Sequence, residues 1–587
     1  MCGIVGYLGK KQNSKKIIEK LKKLEYRGYD SAGIAVMENG KVDCFKQVGC
    51  IDNLEKEVPD DLETTCAIAH TRWATHGKAT TNNAHPHSSN GGQWTIVHNG
   101  IIENYLELKQ GLKQKIDSDT DTAVVAELLE EKNAETIEDF INVFSLLDGS
   151  YSIVAMNKNK PNELFLAKNK SPLYVAETDG GFLVASDPIC FVGVAKDYYE
   201  FLDHDFAHID ANGITFFAGE NKITKQKIAL DDSFENFSNN GFEHFMLKEI
   251  YEEPEALERQ VKFYKEHRVF DKFDKNFMSK FKEVVFVGCG TAYHAALFGA
   301  NYFRKQLNIK ASAEVASEFI YSKPIFASPD MLFVLVSQSG ETADTLMAAK
   351  IASENCATTI ALTNVLYSSL AKRADYILPV CAGPEIAVAS TKAYVCQLSA
   401  LYMFSSFLKN FTGASIDYFG DILSVSKKAL AFDMKKIDKI AVEIKNETTP
   451  IFIGKDLDYI TAMESSLKLK EVSYINATNY SSGELKHGFL ALVEEGTPLF
   501  VFCTQAEICS KSINAANEAM ARGARRYLVT NIKQESDKDV IFIDEPNELT
   551  ASILAVIPMQ YLAYKVSISK GINPDKPRNL AKSVTVE

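Results

Sequence analysis

A cysteine at position two, in Met1-Cys2-Gly3-Ile4-Val5-Gly6, is the first residue whose chemistry stands out. Once Met1 is removed, Cys2 carries a thiol and a free α-amine on adjacent atoms. Unperturbed, the thiol titrates near ~8.5 and the amine near ~7.7–8.0, so at neutral pH some neutral amine is at hand to take the thiol proton. The resulting thiolate attacks carbonyl carbon. Arg72, in Ala69-His70-Thr71-Arg72-Trp73-Ala74-Thr75-His76-Gly77, carries a planar fork that can grip a carboxylate through two parallel hydrogen bonds, with Trp73 to shield the pair from water. Asn99-Gly100 is a turn signal, yet an Asn side-chain N–H and the next backbone N–H can also converge on one oxyanion. In Ser118-Asp119-Thr120-Asp121-Thr122 an aspartate either caps the following helix or binds an ammonium group. Arg27, in the loop Tyr26-Arg27-Gly28-Tyr29-Asp30, is an anion ligand or a surface arginine on a turn. His70, His76, His85 and His87 match no zinc spacing and read as a polar pocket.

The second half offers a different chemistry. Ser337-Gln338-Ser339-Gly340-Glu341-Thr342 lies between an apolar run and a helix starting near Ala343, where hydroxyls, a permissive glycine and helix N–H groups form an anion cradle. A capping box using Ser339 and Thr342 is compatible with the same sequence. Glu464, Lys468 and Glu471 fall on one helical face, either as a surface ion-pair ladder or as a site. His487 stands between glycines in Gly483-Glu484-Leu485-Lys486-His487-Gly488, a place suited to acid–base steps near neutral pH. The final run from Lys576 to Glu587 is apolar enough to dock rather than fray.

These groups need rigid elements. Ile4, Val5, Tyr7 and Leu8 read as a short buried strand ending in a turn, Ile17 to Leu24 as a helix, Ile34 to Met37 as a strand, Trp94 onward as a strand running into a turn at Asn99-Gly100, and Ala123 to Leu129 as a helix. The stretch 221–275 is charged and rich in Lys, Glu and Phe; it reads as a connecting segment whose helix from Phe242 to Tyr251 stops before Pro254. Beyond it the pattern repeats: Glu283 to Gly290 returns 166 residues later at Thr449 to Gly454, and Met331 to Val336 entering Ser337 is matched by Leu499 to Cys503 entering Thr504. Fully apolar strands alternating with helices indicate parallel sheets covered on both faces. Only the first copy carries the glycine and paired serines, and Gly288-x-Gly290 lacks the rest of a dinucleotide fingerprint.

Composition sets limits. The 587 residues allow three or four domains, and 46% apolar with 24% charged residues is ordinary for a globular protein. A net charge of −13 argues against nucleic acid or an acidic membrane as partner, while leaving room for a small phosphorylated ligand. Eleven cysteines without a C-x-x-C pair read as reduced core residues apart from Cys2. With no signal peptide expected, and runs such as Met331 to Val336 or Ile553 to Ile557 too short to span a bilayer, the expected location is cytoplasmic.

Taken in order, CGIVGY, EYRGYDSAG, AHTRWATHG, NAHPH, HNGIIEN and SDTDT resemble the type 2 glutamine amidotransferase domain, an amino-terminal-nucleophile hydrolase, over about 220 residues. The resemblance implies Cys2 as nucleophile with its α-amine as base, Arg72 on the glutamine α-carboxylate, Asp121 on its α-amine, Asn99 and Gly100 as the oxyanion hole, Arg27 and Trp73 on loops that close over the site, and His85 beside the substrate. The tandem repeat with SQSGETADT, VASTKA, LKLKE, GELKHG and PRNLAKSVTVE resembles the double sugar isomerase module of the glucosamine-6-phosphate synthase family, so that together the likeness spans essentially the whole chain. It implies a sugar phosphate held by Ser337, Gln338, Ser339 and Thr342, with Val388, Ser390 and Ala581 lining the pocket. It further implies Lys582 forming an imine with the open ketose, Glu471 moving a proton between C1 and C2, Lys468 supporting the enolate-like intermediate, and His487 helping to open the ring, from a partner copy in a homodimer.

The implied architecture is an αββα sandwich over 2–220, a linker over 221–275, two doubly wound αβα domains over 276–415 and 440–577, and an active-site tail over 578–587. The implied reaction makes glucosamine 6-phosphate and glutamate from glutamine and fructose 6-phosphate, with no cofactor and no metal. Ala292, Asn476 and Phe489 depart from the family pattern of serine, histidine and proline, and the first puts one sugar contact in doubt. Amidotransferases with other acceptors would carry a pyrophosphate-ribose loop or an ATP pyrophosphatase motif, absent from this sequence. A non-catalytic sugar-phosphate sensor would have no use for Cys2, Arg72, Asn99 and Asp121 together.

Overall fold

A computed structural model of the chain describes residues 2–38, 40–73, 77–230, 241–322, 327–533 and 539–584; Met1, His76 and residues 585–587, which figure above, lie outside them. The chain forms two compact units that divide near residue 237, and each is described by itself.

The first unit is built on two antiparallel sheets. One has the order Ile228–Ala229, Asp197–Glu200, Tyr174–Thr178, Gly181–Ala185, Gly3–Asn13, Glu63–Arg72, Ser31–Glu38, Lys41–Val48; the other runs Asn221–Ile223, Gly213–Ala218, Asp205–Asp210, Lys160–Asn169, Gly149–Asn157, Trp94–Ile102, His87–Ser88. Ile4 and Leu8 from the first sheet meet Val97, Val154, Leu166 and Ile209 from the second in a shared core. The far face of the second sheet is covered by the helices Asp121–Glu131 and Ile137–Phe144 through Trp94, Val125, Phe140 and Phe165, while Lys15–Lys22 buries Ile17, Ile18 and Leu21 against the first. Helix, sheet, sheet, helix is the expected αββα sandwich.

The amino-terminal strand is longer than the short run read from sequence. It spans Gly3–Asn13 between Glu63–Arg72 and Gly181–Ala185, with an irregularity between Leu8 and Gln12. Pairing on both edges overrides the turn tendency of Gly9, whose missing Cβ lets the backbone of Gly180 and Gly181 approach. The terminus is pinned where it matters, because Ile4 N donates to Ser186 Oγ at 3.0 Å and Ser186 N to Ile4 O at 3.1 Å.

The second unit holds two parallel five-stranded sheets, ordered Lys310–Val315, Glu283–Gly288, Met331–Ser337, Thr358–Thr363, Tyr376–Pro379 and Thr478–Ser481, Ile451–Gly454, Pro498–Cys503, Arg525–Thr530, Val540–Phe542. Numbered within each domain the order is 2-1-3-4-5 in both, the doubly wound arrangement whose ligand crevice opens between strands 1 and 3. The duplication reaches the backbone angles: Gly290 (φ 54°, ψ −125°) and Asp456 (φ 57°, ψ −122°), 166 residues apart, take the same turn after strand 1. Asp456 adopts there a conformation suited to glycine, held by Asn301 at 2.5 Å and by Lys305.

Much of the stretch expected to be a linker is built into the units instead. Asn221–Ile223 and Ile228–Ala229 are edge strands of the first unit. Pro254 begins the helix Glu253–Glu266 rather than merely ending its predecessor Phe245–Tyr251, as the ring tolerates the first helical turn, and Met246, Ile250, Leu257, Val261 and Tyr264 enter the core of the second unit. The apolar run Ile553–Ile557 also proves part of something longer. It belongs to the 22-residue helix Glu548–Ser569, whose most apolar 18-residue window has a mean hydropathy of 1.3 and which by length and composition could span a membrane; 89% of that window is buried inside the protein, packed on Leu457–Ser473 and Met434–Ile444.

Candidate functional site

In the first unit the strand ends deliver the predicted residues to one place. Trp73 N donates to Cys2 Sγ at 3.3 Å, so Trp73 contributes its backbone as well as its position. Asn99 Nδ2 donates to the Cys2 carbonyl at 2.9 Å. Asn99-Gly100 lies inside the strand Trp94–Ile102, paired with Ser152 and Tyr151, and not in the turn its sequence suggests. Gly100 is required there by φ 135° and by Ser150 O, which would stand 2.0 Å from any Cβ. Burial pushes the Cys2 thiol up, against the pull of the Trp73 N–H and Arg72. A thiol that stays protonated needs a base, the role the free α-amine can fill.

Arg72 is buried at 3% exposure; its guanidinium reaches Gly77 O at 3.2 Å and feels the charges of Cys2, Asp121 and Asp30. Asp121 opens the helix Asp121–Glu131, capped by Thr120, and its carboxylate accepts Ile102 N at 2.8 Å and Thr122 N at 2.9 Å, tying that helix to the strand bearing Asn99. The loop of Arg27 docks beside them, since Asp30 N donates to Arg72 O and Gly28 lies against the Arg72 and Trp73 backbone. Arg27 itself faces away from an anion role: its guanidinium is taken by Asp187, with Nε on Tyr26 Oη at 3.0 Å.

Sequence reasoning saw the histidines as a pocket lining but missed what they orient. His70 Nε2 stands 2.9 Å from His98 O and 3.0 Å from Asn99 Oδ1. Both are acceptors, so Nε2 carries the proton, and holding Oδ1 turns the Asn99 amide N–H groups toward Cys2. His85 stacks on His70 at 4.1 Å, accepts His98 N at 3.3 Å on Nδ1, and reaches Thr122 Oγ1 at 3.4 Å with Nε2. His87 Nε2 meets Thr120 Oγ1 at 3.0 Å. Burial drives His70 down to about 3, and His85 and His87 well below the ordinary histidine range. Their unfolded forms take up protons below about pH 6.5 while the folded ones stay neutral, so the contribution is full above that pH and is lost as pH falls, by about 1.4 kcal/mol per pH unit for each histidine. Thermal unfolding of the chain between pH 7 and 5 is expected to show a steep fall in midpoint that His87→Gln makes shallower. A midpoint independent of pH over that range would contradict a neutral cluster.

In the second unit a cavity opens at the predicted crevice, at the carboxyl ends of strands 1 and 3. Ser337, Gln338, Ser339 and Thr342 line it together with Val388, Ser390, Ala581, Lys582, Lys468 and Glu471, so ten predicted residues from four sequence stretches share one cavity. Ser337 Oγ accepts Gly340 N at 3.0 Å and lies 3.0 Å from Thr342 Oγ1. The capping box is not formed: Thr342 precedes Ala343–Glu354 without closing its side chain on the helix, which leaves that hydroxyl in the cradle. Gly340, at φ 67°, has Ser368 Oγ 2.0 Å from where a Cβ would sit, so no other residue fits the turn. In the second repeat the place of Ala292 is held by Asp458, whose carboxylate accepts Thr504 N at 3.0 Å and Thr504 Oγ1 at 2.6 Å, filling the matching position with an internal anion.

Glu464, Lys468 and Glu471 form no surface ladder. Lys468 is buried on Leu457–Ser473, its Nζ 2.5 Å from Glu471 Oε2, 3.4 Å from Glu464 Oε1 and 3.1 Å from Thr291 Oγ1, while His294 Nδ1 meets Glu464 Oε2 at 2.6 Å. Burial pulls the Lys468 ammonium down, but the two glutamates outweigh it and hold the charge. The described part of the tail is held by polar contacts rather than by apolar burial: Arg578 N donates to Tyr474 Oη at 2.7 Å and its guanidinium lies over that ring, while Val584 is exposed. His487 is exposed, among residues that do not line this cavity. Thr291, Gln397 and Cys289 were missed; the first and last follow strand 1 at the switch point, where the topology alone points, whereas nothing local marks Gln397.

Comparison with known proteins bears on both sites. Residues 70–192 match the glutamine amidotransferase domain model, and residues 277–406 and 443–570 each match the SIS domain model. The chain is 42% identical over its whole length to the full glutamine–fructose-6-phosphate aminotransferase (isomerizing) of Caldanaerobacter subterraneus subsp. tengcongensis, and 40% identical, again with full coverage of both chains, to that of Clostridium acetobutylicum. The chain belongs to the glutamine–fructose-6-phosphate aminotransferase (isomerizing) family. Among solved structures, the C-terminal domain of glucosamine-fructose-6-phosphate aminotransferase from Francisella tularensis is 34% identical with a TM-score of 0.54, matching 58% of this chain and 99% of that one. Tagatose-6-phosphate ketose/aldose isomerase from Escherichia coli shares the fold, with 16% identity, a TM-score of 0.50 and coverage of 59% and 97%. Of this family member's departures, Ala292 lines the cavity, Asn476 is exposed, and Phe489 stacks on Tyr480 at 3.7 Å, a contact that accounts for an aromatic residue there.

Proposed function

We propose that this chain converts glutamine and fructose 6-phosphate into glutamate and glucosamine 6-phosphate. The reading is carried by the pairing, in one polypeptide, of a thiol at Cys2 beside Arg72 and Asn99 with a cavity that joins an anion cradle to an amine and a carboxylate, Lys582 and Glu471. With Met1 removed, Cys2 attacks the glutamine amide, its own amine takes the thiol proton, Asn99 and Gly100 stabilise the oxyanion, and Arg72 and Asp121 hold the α-carboxylate and α-amine. Water then releases glutamate from the thioester. Ser337, Gln338, Ser339 and Thr342 hold the phosphate of the ketose, with Val388, Ser390 and Ala581 around it. Lys582 forms the imine, the ammonia freed at Cys2 supplies the nitrogen, and Glu471 transfers the C1–C2 proton with Lys468 charged beside it. Trp73, Arg27 and His85 shape the glutamine pocket. The same reading gives a cytoplasmic homodimer in which His487 serves ring opening in the partner's cavity, which fits its exposure here. Incubating the chain with both substrates is expected to yield glucosamine 6-phosphate and glutamate in equal amounts, by chromatography; glutamate alone, with the sugar unchanged, would defeat the proposal.

A further inference from the structure

We propose that Glu385 is the proton-transfer partner of Lys582 during imine formation, a catalytic residue for the ketose half of the reaction; this rests on reading Lys582 as the imine-forming amine. Glu385 lies just ahead of the cavity loop that carries Val388 and Ser390, and its side chain is wholly buried. Its Oε2 receives Lys582 Nζ at 2.5 Å and Ser390 Oγ at 3.0 Å, and its Oε1 receives Thr391 N at 2.9 Å and Ala393 N at 3.0 Å. Four donors thus fix the carboxylate with one oxygen on the reacting nitrogen.

The surrounding charges single out this group. Glu249 faces it from Phe245–Tyr251, Glu253 from Glu253–Glu266, Lys392 from Lys392–Asn410, Lys582 from the tail, and Lys468 from Leu457–Ser473. Lys392 is engaged by Glu252 at 2.7 Å and Lys468 by Glu471. Burial, with the nearby Glu385 charge, raises Glu249 to about 8 and Glu253 well above its ordinary value, whereas at Glu385 burial is outweighed by Lys582 and the backbone N–H donors, so it stays low. Near neutral pH two of the three carboxyls therefore hold protons, and Glu385 is the ionised one.

An ion-paired lysine cannot attack a carbonyl. Glu385 first accepts a proton from the Lys582 ammonium, and the freed lone pair forms the N–C2 bond as the carbonyl π electrons move to oxygen. A proton passes from nitrogen to that oxygen, giving the carbinolamine. Glu385 then returns its proton to the departing hydroxyl as the nitrogen lone pair forms C=N. Ammonium plus ketone has become protonated imine plus water, and Glu385 is a carboxylate again.

The test uses the full chain with fructose 6-phosphate, no glutamine, and sodium borohydride, following the reduced sugar adduct on the Lys582 peptide by mass. Glu385→Gln is expected to slow trapping by about 10³-fold at pH 7, within the range of general acid–base effects. The residual rate should climb about tenfold per pH unit from 7 to 9 as solvent base takes over, with the parent nearly flat. A merely structural role would lower the rate equally at every pH. Glu385→Asp, charged but one methylene short, should fall between the two, at least tenfold below the parent; where the Gln variant does not fold, this variant decides, and a parental rate in it overturns the proposal. A parent that forms no adduct at Lys582 overturns the Lys582 reading beneath it. Normal trapping by Glu385→Gln with a flat pH profile overturns the role of Glu385 alone.

Discussion

Replacing Cys2 by Ala is expected to cut glutamine hydrolysis, and with it glutamine-driven synthesis of glucosamine 6-phosphate, by on the order of 10⁵-fold or more, the scale on which removing an activated nucleophile acts. The magnitude follows from how much at the site converges on that one sulfur. Trp73 N–H addresses it at 3.3 Å and Asn99 anchors the residue's own carbonyl at 2.9 Å, but neither can open an amide bond. Oxyanion donors and a carboxylate clamp stabilise only what a nucleophile has begun. Cys66 and Cys190 offer no substitute, being buried with thiols pushed up, to about 12 for the first. Because the second unit has its own core, borohydride trapping of fructose 6-phosphate on Lys582 should persist in Cys2→Ala. Glutamate release within tenfold of the parent rate would remove Cys2 from the mechanism.

The two halves were legible in the sequence to different depths, for physical reasons. Strand and helix types in the isomerase repeat come through because fully buried parallel strands need unbroken apolar runs, as in Met331–Ser337, and the 166-residue spacing repeats the topology. The glutamine site is legible as a set of residue types but not as geometry. Asn99-Gly100 looks like a turn because local propensity favours one, yet pairing to Ser152 and Tyr151 keeps it within the strand. Arg27 looks like an anion ligand because its partner, Asp187, lies 160 residues away. His70 gives no sign of its hold on Asn99, since that contact joins two strands from different sheets. Glu385 is the sharpest case: nothing in Gly383-Pro384-Glu385-Ile386 signals chemistry, and the lysine it meets is 197 residues further on.

Ion pairing explains why the ketose site was read less fully than the phosphate cradle. Ser337, Ser339 and Thr342 are neighbours in sequence and need only a strand end and a helix start to converge. Lys468, Glu471, Lys582 and Glu385 come from a helix, a tail and a loop, and their joint meaning exists only once helix Leu457–Ser473 is packed against Glu548–Ser569 and against Thr291 and His294 of the first repeat. The sequence pattern of Glu464, Lys468 and Glu471 is identical for a solvated ladder and for a buried site; burial decides between them, and burial is a tertiary property.

Glu471→Gln is the substitution expected to weigh most on the sugar side, lowering glucosamine 6-phosphate formation by about 10⁴-fold, the upper end for loss of a general base. Glu471 retains partial solvent access, at 22% side-chain exposure, and is the cavity's carboxylate on the side of Lys468, whereas Glu385 faces Lys582. The two glutamates therefore predict separable lesions. In Glu471→Gln the imine should still form on Lys582 and be trapped by borohydride at close to the parental rate, while exchange of the sugar C1 hydrogen with deuterium from solvent is lost. In Glu385→Gln the trapping itself is slow. The Gln amide also loses the charge that helps hold Lys468 protonated, which leaves Glu464 to pair with that ammonium at 3.4 Å, so the helix should keep its place and the melting temperature should change little. Retained hydrogen exchange in Glu471→Gln, measured by mass spectrometry of recovered sugar phosphate, would assign the C1–C2 proton to another group.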